Sequence, residues 1–302
     1  GQVVLMTGHL SPPSGPVEPG GFDFQRMAWF EGLGAVDYTR TPVLLGAEAS
    51  EGAAGLWVYR QRIAISRGVQ DRLNGESGAF AAAIMMGDRS GMGQDSLVAL
   101  RASNLAHLLA ISGMHMGILA AFIFATLRYG FALWPTAALY WPTKKVATIG
   151  ALIAAAGYLA LSGGNVSTER AFVMVAVMLV AVLFDRRALT LRAVAIAALI
   201  VLTLRPEALF GPGFQMSFAA TTALVAVFGV MRQMDLPRMP RWAKSVGAVI
   251  ISSLVAGLAT APFAAFHFNQ IAQLGLIANL MSVPLMGALV MPVAVLAAAL
   301  AP

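Results

Sequence analysis

The chain has 302 residues, of which 58% are hydrophobic and only 11% are charged, and its formal net charge is +6. A mean hydropathy of +0.75 excludes a water-soluble domain of this size, because such a domain needs a largely polar surface. The chain contains no cysteine, which excludes disulfides, thiolate catalysis and cysteine-bound metal. We therefore expect an integral membrane protein.

The first third of the chain carries most of the acidic residues and is expected to face water. A strand is predicted over "QVVLMTGHL", a helix ended by Gly34 over "FDFQRMAWFEGLG", and a second strand over "AVDYTRTPVLL". Two strands do not bury a core alone. We expect residues 1–50 to be the end of a small β domain, and the chain to be a segment of a longer protein.

Residues 51–104 are predicted to form an interfacial, amphipathic helical segment. "GLWVYRQRIAISRGVQDRL" is typical of a solvated or interfacial basic helix, with contact to a polyanion as the less favoured alternative. "GAFAAAIMMG" is too short to span a membrane and is expected to pack as a helix near its surface.

Residues 105–302 are predicted to form the transmembrane domain, since their apolar runs approach the length of about 20 helical residues that crosses a hydrocarbon core. The predicted spans are Leu105–Leu127, Val146–Ser162, Arg170–Phe184, Ala188–Leu204, Phe214–Val230, Ser245–Phe268 and Gln273–Ala301. The fold class is thus a mainly α, polytopic membrane protein of about seven spans with broken helices, after a partial β segment. The short segment Phe131–Trp141 is expected to anchor at the interface through its tryptophans.

Basic residues predict the orientation, because short loops rich in Lys and Arg stay in the cytoplasm. Alternate loops hold Lys144 with Lys145, then Arg186 with Arg187, then Arg232. Residues 1–104 are then extracytoplasmic, and the expected location is the inner membrane of a bacterium, with several passes.

Polar groups inside apolar runs tend to mark function or helix packing, because they are costly at membrane depth. In "HLLAISGMHMG", Ser112 and Gly113 are predicted to break the helix at the wall of a cavity. The alternative is that Ser112, Gly113 and Gly117 let two helices approach closely. His107 and His115 are spaced poorly for a shared metal, and a hydrogen bond to a backbone carbonyl is the ordinary expectation for each. A Ser–His hydrolase is the least favoured reading, because no G-x-S-x-G motif is present.

Other breaks and polar groups follow the same pattern. Helix breaks are predicted at Gly163, Gly164, Gly211, Pro212, Gly213 and Pro284, and polar groups near them at Arg170, Gln215, Ser217 and Asn279. Together they indicate a bundle around a polar interior. A secondary transporter for a small solute is an alternative, but it predicts inverted repeats and usually an intramembrane charge. A structural membrane scaffold is another.

These stretches resemble a known family. "HLLAISGMHMG", "STERA", "RPEALFGPGFQMSF" and the late Asn279 and Pro284 resemble the signatures of the competence domain of ComEC-type DNA internalisation proteins, from about Ala79 to the end. Upstream, "PPSGPVEPGGFDF" resembles the close of the OB-like domain that precedes it, although Glu18 stands where the family usually has Asn.

The resemblance implies an inner-membrane channel that passes single-stranded DNA into the cytoplasm during natural transformation. The implied partners are single-stranded DNA, membrane lipid, an extracytoplasmic DNA receptor, and a cytoplasmic motor or single-strand-binding protein. The candidate DNA path comprises His107, Ser112, Gly113, His115, Arg170, Gln215, Ser217 and Asn279, and the candidates for attracting phosphate at the outer mouth are Arg89 and Arg101. No cofactor, metal or catalytic residue is assigned, and nothing resembles the nuclease domain that related full-length proteins often carry.

Overall fold

The computed structural model describes residues 3–19, 21, 23–47, 55–103, 105–109, 111–234, 240–269 and 275–300. The chain divides into two compact units, Gly1–Trp57 and Val58–Pro302. Each unit is described by itself.

The first unit contains a two-stranded antiparallel sheet, in which β1 (Val3–Leu5) pairs with β2 (Leu44–Ala47). The second strand was expected to begin about nine residues earlier. In that stretch the hydroxyl of Thr39 donates to the carbonyl oxygen of Thr7 over 2.7 Å. An isolated bridge pairs Ser11 with Val36. Between that bridge and the sheet, a side-chain bond takes a carbonyl that a ladder would use, and the continuous ladder begins only at Leu44.

Helix α1 (Phe24–Phe30) lies between the strands and starts at Asp23, whose carboxylate accepts the N–H of Arg26 over 2.9 Å. The expected end at Gly34 is wrong. The chain turns at Gly32, which takes a φ of 70°, because it is the first glycine after the helix that can adopt this conformation.

The second unit is helical. Its helices are α2 (Gly55–Arg72), α3 (Glu76–Met86), α4 (Gln94–Ala102), α5 (Ala106–Leu109), α6 (Gly113–Ala132), α7 (Pro135–Tyr140), α8 (Thr143–Leu161), α9 (Val166–Leu183), α10 (Leu191–Leu204), α11 (Pro212–Met231), α12 (Arg241–Phe268), α13 (Gly275–Leu285) and α14 (Met291–Leu300). A 3₁₀ helix over Pro206–Phe210 precedes α11, and a π-helical turn over Met286–Val290 joins α13 to α14.

Within the described residues, six helical stretches are long and apolar enough to cross a membrane. They fall in α6, α8, α9, α11, α12 and the continuous run from α13 to α14. The mainly α, polytopic membrane architecture is thereby confirmed. Two expected spans are shorter: α10 has 14 residues, and the first span begins at Gly113 rather than Leu105, since a separate short helix, α5, precedes it.

Ion pairs show that α8 and α10 each run antiparallel to α9. At one end, Asp185 after α9 pairs with Lys144 (3.2 Å) and Lys145 (3.3 Å) in the first turn of α8. At the other end, Arg205 after α10 pairs with Glu169 in the first turn of α9. We call the end at which α6, α9 and α11 begin the upper end, and the opposite end the lower end. The basic loops lie at the lower end.

Small residues let these helices approach closely. Ala147, Ala151 and Ala155, spaced four apart on α8, are all fully buried, and α8 packs against both α6 and α9. The alternative reading of Gly113 and Gly117 as close-approach positions is wrong, because a Cβ at either one would meet no described atom within 4 Å.

The helix α3 is built into the same unit. Ile84, Met85 and Met86 pack with Leu108 of α5 and Met286 of the π turn. The hydroxyl of Tyr158 in α8 also donates to the carbonyl oxygen of Ile84 over 2.7 Å. This packing fixes the end of α3, and with it the segment that follows, against the upper end of α8.

Candidate functional site

The link between α5 and α6 positions a Ser–His pair. Ser112 is the N-cap of α6, and its backbone N–H donates to Nδ1 of His115 over 3.3 Å, while its Oγ lies 3.0 Å from the same nitrogen. Because Nδ1 accepts, the neutral ring carries its proton on Nε2. That nitrogen is buried with no hydrogen-bond partner among the described residues. The expected bond to a backbone carbonyl is therefore wrong for His115.

The same pair bears on the hydrolase alternative. A serine nucleophile needs a histidine whose second nitrogen is oriented by a third group. For His115, the part of the chain that the structure describes supplies no such group. The geometry is that of a helix cap, in which a side chain in the first turn satisfies the N–H of the cap residue.

The turn between α8 and α9 brings more polar groups to the upper end. Gly163 and Gly164 take positive φ values of 82° and 63°, which residues with a Cβ rarely adopt. The guanidinium of Arg62 fills the space that a Cβ at Gly163 would need. Nε of Arg62 donates to the carbonyl oxygen of Met86 over 3.0 Å, so this cation connects α2, the end of α3 and the turn.

A cavity of about 280 Å³ lies beside this turn. It is lined by Gly87, Arg89, Ile111, Asn165, Ser167 and Thr168. The segment after α3, the link before α6 and the first turn of α9 thus build its wall. Asn165 is the N-cap of α9, but its side chain makes no capping bond. The carbonyl oxygen of Asn165 accepts the N–H of Thr168 over 2.8 Å, but its side chain satisfies neither of the first two N–H groups of the helix.

Thr168 is a fully buried member of the cavity wall, and its Oγ1 has no hydrogen-bond partner among the described residues. A helical threonine commonly donates to the carbonyl four residues earlier, as Thr148 does to Lys144 over 2.7 Å. For Thr168 that carbonyl belongs to Gly164 in the turn rather than to the helix. The cavity wall therefore includes a threonine whose hydroxyl no described residue engages.

One carboxylate lies next to the cavity residues in the chain. Asp88 accepts hydrogen bonds from the hydroxyl of Ser66 (2.6 Å) and from the hydroxyl and N–H of Ser90 (2.7 and 3.0 Å). These bonds, that from Ser66 foremost, hold the pKa of Asp88 below its ordinary value. Asp88 is thus ionised at neutral pH, with both oxygens already engaged.

Arg170 is a cation inside the spanning helix α9. Its Nη2 donates to Ser167 Oγ over 3.3 Å, and its Nε is buried without a partner among the described residues. The guanidinium packs on Gly213 of α11, where a Cβ would lie 2.8 Å from Nη2. The neighbouring carboxylate, Glu169, pairs instead with Arg205, Nε to Oε2 2.9 Å. In the described parts of the chain, Arg170 therefore has no acidic partner.

A polar pair joins α11 to α12 at the same end. Nε2 of His267, in the last turn of α12, lies 2.8 Å from Oε1 of Gln215. The amide nitrogen of Gln215 donates to the carbonyl oxygen of Leu209 over 3.1 Å. The amide is therefore held in one orientation at the start of α11.

The sequence comparisons agree with this picture of a polytopic membrane protein. Residues 84–302 match the model of a family described as "Competence protein". The chain belongs to the competence protein family. The resemblance noted from its sequence motifs is thereby confirmed.

Two curated proteins illustrate the relationship. The chain is similar to ComE operon protein 3 of Bacillus subtilis (strain 168), with 28% identity over 291 residues and 96% of this chain covered. It is also similar to Recombination protein 2 of Haemophilus influenzae, with 25% identity over 285 residues and 90% covered. The chain spans about a third of the length of each, 35% and 34%. No solved structure matches the chain.

The structure brings some of the candidate residues of this competence protein together, both from the DNA path and from the outer mouth. Arg89 shares the cavity with Ser167, which in turn accepts a bond from Arg170. Ser112 and His115 form one pair, with the exposed Gly113 between them in the chain, and Gln215 belongs to another pair. These groups lie at helix termini of the upper end.

Other candidates lie elsewhere. His107 and Arg101 are exposed residues of α5 and α4, and neither lines the cavity. The backbone carbonyl of Ser217 accepts the hydroxyl of Thr221 within α11. The side-chain oxygen of Asn279 in α13 is buried, with no partner in the described part of the chain.

The predicted break positions occupy distinct places. Gly163 and Gly164 form the turn after α8, Gly211 is the N-cap of α11, and Pro212 with Gly213 opens that helix. Pro284 stands one residue before the end of α13, where the backbone passes into the π turn.

Sequence reasoning missed Thr168 and Arg62 as members of this region. Nothing in the sequence pairs Arg62 with a turn a hundred residues later. Thr168 carried a weak signal, since a hydroxyl in the first turn of an apolar helix lies near the helix end. Across the described residues, no three His, Asp or Glu side chains come close enough to share a metal ion. The absence of a cofactor stays a prediction.

Proposed function

We propose that this chain forms the membrane part of a channel that passes single-stranded DNA across the bacterial inner membrane during natural transformation. The observation that supports this most is Arg170, a cation inside a spanning helix with no carboxylate partner among the described residues. Ionisable groups at such positions are costly and tend to mark substrate paths. The phosphate groups of DNA supply the anion that the protein does not provide.

The surroundings of Arg170 favour passage over tight binding. Apart from Arg89 and the ion pair of Glu169 with Arg205, the nearby groups that the strand would meet at the upper end are neutral. They are the hydroxyls of Ser167 and Thr168 and the amide of Gln215. Conduction requires binding sites that are weak enough to release the passing ion or chain. One interior cation among neutral donors meets that requirement better than a row of arginines.

The direction of transport follows from the loops. Basic loops at the lower end favour a cytoplasmic location for that end. The upper end, with its cavity, then faces the extracytoplasmic side. An extracytoplasmic DNA receptor would deliver the strand there, and a cytoplasmic motor or single-strand-binding protein would take it up at the lower end. Membership of the competence family supports the DNA part of this proposal.

The proposal is tested in cells of the source organism that carry the full-length protein and take up DNA with a different label on each strand. We expect Arg170→Gln to lower the label that reaches the cytoplasm about tenfold or more, since a hydrogen bond to a charged group contributes about 1.5–3 kcal/mol. DNA bound at the cell surface should not change. Only one strand should arrive intact.

Arg205→Gln is the matched control, because Arg205 is a cation of the same end that Glu169 already neutralises. We expect its effect on uptake to stay below about threefold, which corresponds to less than about 1 kcal/mol. Equal uptake by Arg170→Gln and the unmodified protein, at equal protein level, would refute the path through Arg170. Entry of intact duplex would refute the single-strand channel.

A further inference from the structure

We infer that the cavity at the start of α9 is a binding site for one phosphodiester group of the incoming strand. This inference rests on the proposed function and names a site for DNA before it reaches Arg170. The ligating groups are the guanidinium of Arg89, the hydroxyls of Ser167 and Thr168, and the N-terminal amides of α9.

The chemistry of the cavity wall is that of an anion site. The N-terminus of a helix attracts anions through its free N–H groups and the positive end of its dipole. Helix α9 has 18 residues, and its N-cap side chain leaves those groups uncapped. Arg89 adds a cation whose planar guanidinium suits phosphate oxygens.

The buried hydroxyl of Thr168 indicates a ligand independently of the helix N-terminus and of Arg89. A buried hydroxyl without a partner destabilises the folded protein, yet Thr168 is fully buried, lines the cavity and has no partner among the described residues. A phosphate oxygen in the cavity would accept its proton. A valine of the same shape would be the more stable choice if the cavity had no ligand.

The charges around the cavity favour an anion over a cation. Asp88, the carboxylate next to Arg89, is engaged by Ser66 and Ser90. Arg62 lies on the other side, between Met86 and Gly163. A second carboxylate, Glu169 in the first turn of α9, is paired with Arg205. Both carboxylates are therefore already engaged by other groups of the protein, whereas Arg89 lines the cavity.

The size of the cavity sets a limit on the ligand. About 280 Å³ corresponds to the space of about nine waters at about 30 Å³ each. That space is large enough for one phosphate with part of its sugar and too small to enclose a base pair. A strand bound there would place its backbone in the cavity and its bases outside.

The test uses purified full-length protein in nanodiscs of uncharged lipid and measures two ligands separately. A fluorescently labelled oligothymidylate reports DNA binding by anisotropy, and inorganic phosphate is used as a competitor. We expect phosphate to compete. We expect Arg89→Gln and Thr168→Val each to weaken oligonucleotide binding about tenfold, which is about 1.4 kcal/mol, whereas Thr168→Ser, which keeps the hydroxyl, should bind normally.

Two controls match these variants. Arg128→Gln removes an exposed cation near the lower end of α6, outside the cavity, and Thr148→Val removes a fully buried hydroxyl that already has a partner. Both should bind oligonucleotide as the unmodified protein does. Equal weakening by Arg89→Gln and Arg128→Gln would show that only the overall charge of the protein matters and would overturn the inference.

The remaining outcomes separate this inference from the proposed function. If Arg170→Gln weakens oligonucleotide binding while Arg89→Gln and Thr168→Val do not, the cavity is not the site and the channel proposal stands. If phosphate binds in a Thr168-dependent way but no oligonucleotide binds, the inferred DNA ligand and the proposed function both fail. If Thr168→Val only raises the melting temperature, its hydroxyl serves no ligand and the inference fails.

Discussion

Replacing Arg170 by methionine should change stability and function in opposite directions. Methionine keeps the length of the side chain and removes the charge together with a buried Nε that has no partner among the described residues. An unsatisfied buried donor costs about 1–3 kcal/mol, and the bond that is lost, to Ser167 at 3.3 Å, contributes about 0.5–1.5 kcal/mol. We therefore expect a gain of about 1 kcal/mol in the free energy of unfolding for Arg170→Met.

The assay is thermal unfolding of the full-length protein in detergent, beside oligonucleotide binding by the same preparation. Arg170→Met should melt about 2 °C higher, since about 1 kcal/mol corresponds to a few degrees in a chain of this size, and should bind DNA about tenfold more weakly. Arg205→Met, which leaves Glu169 unpaired, should melt lower and bind almost normally. A lower melting temperature for Arg170→Met would refute the reasoning, because it would show that the cation is satisfied within the protein.

Three further outcomes follow from single contacts. The pKa of Asp88 is lowered in the folded protein, so its ionised carboxylate stabilises the fold at neutral pH. This stabilisation is lost as the pH falls below 3.8 through the folded value. Asp88→Asn should therefore lower the melting temperature at pH 7 and make it less sensitive to acid. Gly163→Ala, at a φ of 82° and against Arg62, should destabilise by more than about 1 kcal/mol. Tyr158→Phe should cost about 1 kcal/mol through its lost bond, measured by thermal unfolding with Phe122→Tyr, at a half-buried ring of α6, as the control for a hydroxyl change.

The spans could be predicted from the sequence because length and apolar composition alone decide which helices cross a membrane. The exact ends of the spans depend on helix-capping residues, and only some of these can be recognised in the sequence. Thr190 begins α10 by accepting the N–H of Ala193 over 3.1 Å, which shortens the span expected from Ala188. In α6 the N–H of the cap residue Ser112 donates to His115 in the third position, a pairing outside the usual Ser with Glu or Gln pattern.

The site could be predicted only as a set of residue types. Arg170 and Gly213 are 43 positions apart, and their contact depends on the packing of α9 against its neighbours, which no local pattern specifies. The same holds for Gln215 and His267, which are 52 positions apart. The missing partner of Thr168 is a property of its surroundings. Sequence reasoning thus identified the chemistry of the upper end and not its arrangement.

Transport of DNA into proteoliposomes tests most directly whether the chain provides a route for single-stranded DNA. Full-length protein is reconstituted in vesicles that contain an uncharged oligomer complementary to an external labelled strand, so that entering strands are trapped. We expect single strands to accumulate inside, a duplex of equal length to stay outside, and Arg170→Met to slow entry about tenfold, in line with about 1.5–3 kcal/mol for a hydrogen bond to a charged group. Equal entry of duplex and single strand, or no entry into vesicles whose protein remains folded, would contradict the account.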